Sequence, residues 1–431
     1  MSVIIAELNN NDIPAKTFVR QITFAKAREK YGDQLHPSIE HLLEREMELF
    51  ERADGFVQIA LLINITQRLK QEKSFWMNSI IAHATLTTYL LELSEINPLT
   101  PYHFCKKCGR LDFDSSRIFS CGADLPDKNC CMCGSDMITD GFQVPLEIAF
   151  NFPLIKMPMQ AMLVSERSGK LILEELTRST EKKALGLDDL TLVFWNRLAG
   201  IEETKECNQP EAVDSLAAIR QQALMNMPKI EIRQCLPADL LEIFADETGD
   251  MISNNVLADR KLLEAFFQVS FNDYLAIVQQ SVAAFYPNCN SSDLLYRKAY
   301  QHLVESEPTF SNLLETIAVY FAGDDFSPHL RPKECRLVLS REDLYLFFLH
   351  VGLEKEYALR IADDVRKGKG LRQSAEIDRL KLSSQTLEWI NAIRYLPVRS
   401  WLVLEALMQL RLVFYRVNYP EAWERHVVND L

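Results

Sequence analysis

No apolar run in this 431-residue chain approaches the roughly 18 uninterrupted residues that would suggest a membrane span. The first residues, Met1 to Asp12, have no basic region leading into an apolar one. We therefore expect a cytoplasmic protein without a membrane partner. An excess of basic charge is also missing. The formal net charge of −13 excludes a protein whose main task is to coat nucleic acid, because non-specific affinity comes from Lys and Arg displacing counterions from phosphates. Any contact with DNA must be local. Low-complexity segments and internal repeats are absent, and the ten cysteines are too sparse for a disulfide scaffold. Six of the ten fall between Cys105 and Cys133, and that clustering points to metal.

What is present is a globular composition, 48% hydrophobic and 25% charged, in a chain long enough for two or three compact units. From Thr17 to Leu93, apolar residues such as Leu42, Leu43, Met47 and Phe50 recur at helical spacing, with breaks at Tyr31-Gly32-Asp33 and Asp54-Gly55. Phe56 to Ile65 is so apolar and β-branched that periodicity leaves both a buried strand and an inward-facing helix open. Asn97-Pro98-Leu99-Thr100-Pro101 ends this first stretch, since each proline disfavours helix at the residue before it. Val144 to Val164 suits short strands, and from Leu173 onward the chain reads as helix after helix with acidic connections. Glu242 to Asp250 reads as a solvated acidic cap or loop, and the helix from Trp401 to Val417 as core packing with solvent-facing Arg411 and Arg416.

Cys105-Lys106-Lys107-Cys108-Gly109 and Cys130-Cys131-Met132-Cys133-Gly134 are two Cys-x-x-Cys-Gly knuckles, 21 residues apart. The glycine after each pair permits the tight turn that aims backbone amides at thiolate sulfurs. Four soft thiolates in a closed tetrahedral shell suit Zn²⁺ and leave no open position for catalysis. Structural zinc on Cys105, Cys108, Cys130 and Cys133 is expected, with Cys121 and Cys131 as bystanders and His103 as an exposed loop histidine.

The segment Asn97 to Cys108, followed by Asp124-Leu125-Pro126-Asp127-Lys128-Asn129-Cys130 and then Asp140-Gly141, resembles the zinc-binding region of the PolC-type DNA polymerase III α subunit. Tyr31-Gly32-Asp33, Leu43-Glu44-Arg45-Glu46 and Gly55-Phe56 upstream are similar to that family's approach to the palm. Val351-Gly352-Leu353, Val365 to Leu371, Ile393-Arg394-Tyr395, Arg411 and Val417-Asn418-Tyr419-Pro420 resemble its fingers. The resemblance implies an α+β, predominantly helical fold. Residues 1–98 would form an N-terminal helical, palm-like region, 99–143 the zinc ribbon and 144–200 a degenerate palm remnant. Residues 201–335 would be a helical linker region and 336–431 a fingers-like helical domain.

The family places three aspartates in the palm to hold two Mg²⁺ ions, which stabilise the attacking and leaving oxygens. Carried over from Asp140-Gly141, the paired positions fall on Met159 and Ala161. The third, placed from Leu190-Thr191-Leu192-Val193-Phe194, falls on Val193. None can bind magnesium, so no catalytic residue and no catalytic Mg²⁺ are expected. The Gly- and Ser-rich phosphate loop aligns with Met77 to Thr85, where Ser79, Ile80, Ile81 and His83 replace glycine and arginine. The Pro-Lys-Ala-His element becomes Val398-Arg399-Ser400-Trp401. No segment resembles the family's exonuclease or single-strand-binding domain, so those activities are not expected of this chain.

The resemblance thus implies a catalytically inactive PolC-like protein, a pseudo-polymerase that binds DNA, as primed template or single strand, or a replication protein. Arg366, Lys367, Lys369, Arg372 and Arg399 are the candidate DNA contacts, with Gly368 and Gly370 allowing close backbone approach. Two alternatives stand beside it: a divergent active DNA-directed DNA polymerase using Glu147, Asp188 or Asp189, and an interaction protein with no nucleic-acid role.

Overall fold

The computed structural model describes residues 14–79, 84–116, 119–150, 152, 155, 160–172, 191–196, 201–206, 209–213, 229–249, 260–285, 293–322, 331–371 and 375–428. Helix α1 (Ala15–Tyr31) buries Phe18, Val19, Ile22, Ala27 and Tyr31 on one face, and it stops at Gly32, whose φ of 97° a side chain would resist. Helix α2 (Pro37–Arg52) starts on a proline, buries Ile39, Leu43, Met47 and Phe50 at the same spacing, and carries Glu46 into the interior. Residues Phe56–Gln71 form helix α3, so the apolar Phe56 to Ile65 stretch is an inward-facing helix and not a strand. Strand β1 (Trp76–Ser79) and helix α4 (Leu86–Leu90) follow, α4 being opened by a capping box between Thr85 and Thr88.

Strands β2 (Tyr102–Phe104), β3 (Leu111–Phe113) and β4 (Ile138–Asp140) make a small three-stranded sheet in the order β3-β2-β4. After the short helix α5 (Leu146–Ala149) come β5 (Gln160–Val164), β6 (Thr191–Asn196), β7 (Ile201–Glu206), β8 (Gln209–Val213) and β9 (Lys229–Gln234). With β1 these form a six-stranded sheet in the order β1-β5-β9-β6-β7-β8. Strand β9 runs parallel to both β5 and β6, while β1, β7 and β8 pair antiparallel. The expected helical linker over 201–335 is thereby corrected, because its first part is sheet. The strands there carry Glu202, Glu203, Lys205 and Glu206 on the β7 side of the sheet, a charge density that reads as a connection when only composition is considered.

The rest is helical: α6 (Leu236–Thr248), α7 (Arg260–Phe266), α8 (Phe271–Phe285), α9 (Asp293–Glu305), α10 (Phe310–Ala322), α11 (Arg341–His350), α12 (Lys355–Arg366), α13 (Ala375–Arg379), α14 (Ser384–Ala392), α15 (Arg399–Asn418) and α16 (Pro420–Trp423). The acidic Glu242 to Asp250 stretch is mostly helix and not a solvated loop. Glu242 is buried and accepts the Phe75 amide at 2.6 Å, and Gly249 closes the helix at φ 71°.

Two compact units result. One comprises Met1–Pro98, Lys106–Leu111 and Ala149–Met251 and holds the six-stranded sheet. The other comprises Leu99–Cys105, Asp112–Ile148 and Ile252–Leu431 and is built around α15. That helix is buried on nearly all sides by α7, α8, α10, α11 and α16, and it takes Glu405, Gln409 and Arg411 into the interior with its apolar residues. Arg411 is buried within it and does not face solvent as its charge suggests.

Candidate functional site

The strongest site is the four-cysteine group. Strand β2 delivers Cys105, and β4 departs shortly after Cys133, so antiparallel pairing of the two strands brings the knuckles together. Each knuckle turns at a glycine in the left-handed region, Gly109 at φ 72° and Gly134 at φ 70°, where any other residue is strained. In the second knuckle Gly134 N–H donates to the Cys130 carbonyl at 2.8 Å, and Cys130 N–H donates to Ser135 at 2.8 Å. The Sγ atoms of Cys105, Cys108, Cys130 and Cys133 all lie within 4.8 Å of one another. A tetrahedron with metal–sulfur bonds of about 2.3 Å has edges near ~3.8 Å, so the cluster fits a tetracoordinate metal. Cys105 and Cys130 are buried, Cys133 half-buried and Cys108 exposed, and Met137 packs against the sulfurs. This group can bind a structural metal.

Cys121 and Cys131 lie outside the group, as expected. Cys121 is buried against the Asp124 carboxylate at 3.3 Å, and burial, reinforced by that charge, pushes its thiol well above the usual range. His103 differs from expectation. It sits buried on β2 with Nε2 2.9 Å from the Pro126 carbonyl, not on an exposed loop.

In the six-stranded sheet, Ala161 on β5 and Val193 on β6 are both in register with the same residue of the strand between them, Glu231 on β9. Met159 lies outside the described residues, as do Asp188, Asp189, Ile80, Ile81 and His83. Sequence reasoning missed Glu231. Its signal was the alternation Ile230-Glu231-Ile232, a single acid in a β-branched period-two segment just before a proline-opened helix. Glu147, offered as a replacement carboxylate, is bound to Lys355 at 3.0 Å.

The basic stretch is distributed differently from expectation. Arg366 ends α12 with its guanidinium over the Tyr395 ring at 5.5 Å; Lys367 pairs with Asp363, and Lys369 with Asp364 at 2.8 Å. Both lysines are exposed, and Arg372 lies outside the described residues. Gly368 has φ 73°, and a Cβ there would meet the Arg394 carbonyl at 2.5 Å, so this glycine serves the chain's own close approach. Arg399 is not displayed at all. It is 1% exposed, donates from Nε to the Phe142 carbonyl at 2.6 Å, and also donates to the Ser120 carbonyl and to Asp343. Three of the five N–H donors of this guanidinium are on internal acceptors and the group is buried, which argues against the DNA contact expected there.

Fold and site together define a predominantly helical α+β protein carrying a four-cysteine group with the geometry to hold a metal. No family model matches the chain. Among curated proteins it is 22% identical over 473 residues to the DNA polymerase III PolC-type of Caldanaerobacter subterraneus subsp. tengcongensis, covering 95% of this chain and 34% of that protein. It is 24% identical to the protein of that name from Thermotoga petrophila (94% and 34%) and 23% identical to that from Halalkalibacterium halodurans (93% and 32%). The chain is a relative of the PolC-type DNA polymerases III, and it spans about a third of the length of the curated relatives it matches.

Proposed function

We infer that this chain is a PolC-like protein that does not transfer nucleotides and that binds DNA or a replication partner through an inherited scaffold. On this reading the unit with the six-stranded sheet is a degenerate palm, the helical unit corresponds to fingers, and the four cysteines hold Zn²⁺ in a structural role. The observation that carries it is the sheet register: Glu231 is flanked at its own level by Ala161 and Val193. Two-metal phosphoryl transfer needs several convergent carboxylates to fix both cations, and the register sets one acidic position between an alanine and a valine.

DNA contact on this reading falls to Arg366, Lys367, Lys369 and Arg372, a local patch on an acidic protein. The pairing of Lys367 with Asp363 and of Lys369 with Asp364 favours a second reading, a protein partner, because each lysine is already partly neutralised. Primer extension with Mg²⁺ or Mn²⁺ tests the inactive reading. No extension is expected, and extension that disappears on Glu231→Gln overturns it. Mobility shifts on primed and single-stranded DNA at low and moderate salt separate the DNA reading from the protein-partner one.

A further inference from the structure

The loop between the two cysteine pairs is fastened to the helical unit at both ends of a short path. Gly122 packs directly on β4: its N–H donates to the Gly141 carbonyl at 2.7 Å, and a Cβ would lie 2.1 Å from the Asp140 carbonyl oxygen. Two residues on, Asp124 caps α10. Its carboxylate accepts the Phe310 amide at 2.7 Å and the Ser311 amide at 2.9 Å, and it also accepts the Ser311 hydroxyl. Phe142, just beyond β4, meets the Phe310 ring edge-on at 5.8 Å.

A second fastening comes from the same module. The Arg399 guanidinium, at the start of α15, takes the carbonyls of Ser120 and Phe142 together with Asp343 of α11, and the Arg399 amide donates to Glu342 at 2.7 Å. The first amides of a helix have no intrahelical acceptor. The start of α10 therefore depends on Asp124, and the buried cation at the start of α15 depends on carbonyls held in place by the ribbon.

We propose that metal occupancy of the four-cysteine ribbon is a latch on the N-terminal ends of α10 and α15. The bound metal fixes the two knuckles, the knuckles fix β2 and β4, and β4 seats Gly122, so that Asp124 and the Ser120 and Phe142 carbonyls meet the helix starts. Loss of metal lets the loop leave β4, and both helix ends fray while the remainder of the helical unit stays folded. The latch rests on the reading of the four cysteines as a metal site.

Hydrogen exchange on the full chain, loaded with zinc alone or stripped by a chelator, tests it. Stripping is expected to speed exchange at Phe310 and Ser311 by roughly fivefold, the typical worth of a helix cap, with a parallel rise over residues 399–403 and none in α12 and α14. In zinc-loaded Asp124→Ala, metal content stays at the wild-type value, Phe310 and Ser311 exchange at the stripped rate, and stripping adds nothing further there. Unchanged rates at these amides in stripped wild-type protein overturn the latch, as does equal acceleration in every helix. A wild-type chain that retains no zinc overturns the metal reading beneath it, an outcome that metal analysis recognises before any exchange is measured.

Discussion

The carboxyl group of Glu405 accepts a hydrogen bond from the Tyr320 phenol inside the helical unit, where neither side chain is more than 2% exposed. Gln409 donates to the same carboxyl at 3.2 Å and Ser281 at 3.4 Å. Burial pushes Glu405 from its ordinary 4.5 up to about 8, against the pull of these three donors. Burial, with the nearby Glu405 charge second, holds the phenols of Tyr274 and Tyr320 well above their usual range. The group is a neutral acid that completes a polar cluster between α8, α10 and α15.

A pH dependence of stability follows from that cluster. Between about 4.5 and about 8 the folded chain keeps a proton on Glu405 that the unfolded chain has released. Stability contributed by this group is therefore full at low pH, falls as pH rises through that window, and levels off above it, by up to about 1.4 kcal/mol per pH unit. Glu46 adds a similar slope in the other unit, ending lower, because burial raises it to about 7 despite the Leu86 and Thr87 amides it accepts at 2.7 and 2.8 Å. Urea midpoints from pH 6 to 9 should fall most steeply below pH 8. Glu405→Gln, which keeps the shape and removes the charge, should flatten the part between about 7 and 8, and an unaltered profile would show that Glu405 ionises without cost.

Arg399 should behave as a structural cation. Arg399→Ala strands the buried Asp343 carboxylate and two carbonyls, and loss of one partner of a buried pair costs about 3–5 kcal/mol. Arg399→Lys should recover only part of that, since a lysine cannot reach three acceptors in the guanidinium's planar arrangement. Denaturation midpoints should drop for both variants. A normal midpoint together with weakened DNA binding would return Arg399 to the role that its position in the sequence suggests.

Local chemistry made some of this legible and tertiary chemistry hid the rest. The ribbon is readable because both knuckles are complete within five residues, and α1 and α2 are readable because Phe18, Ile22, Leu43 and Met47 repeat at the helical period up to a visible break. Strand β7 was missed because its charged residues give no apolar alternation, β9 was missed although Ile230-Glu231-Ile232 alternates, and the place of Glu231 depends on which strands lie on either side of it. Arg411 was read as solvent-facing and Arg399 as a DNA contact because charge is assumed to be exposed, and Glu405 drew no reading, whereas each is 1% exposed or less. Apart from Gln409, four residues along the same helix, the partners of Arg399 and Glu405 lie from 56 to 279 residues away, at distances no window along the chain can reveal.

The four thiolates should act as one ligand set. Cys105→Ser or Cys130→Ser removes a buried ligand and should take bound metal from one ion per chain to none at modest free zinc, as judged by elemental analysis after dialysis. Cys121→Ser and Cys131→Ser should leave the stoichiometry unchanged, because Cys121 faces Asp124 and Cys131 is exposed outside the group. Metal lost from Cys131→Ser would mean that the ligand set has been misassigned.

Asp363 and Asp364 offer a sharper test of nucleic-acid contact than the lysines they hold. Asp363→Asn with Asp364→Asn releases Lys367 and Lys369 from their ion pairs without removing either cation. If the patch meets duplex DNA, the freed lysines neutralise two further phosphates, and the dependence of log affinity on log salt should steepen by about 1.8. Lys367→Ala with Lys369→Ala should weaken binding and make the salt dependence shallower. Should both double variants leave mobility shifts and their salt dependence at the wild-type value, the lysines serve only the C-terminal end of α12, and the chain's partner is to be sought among proteins.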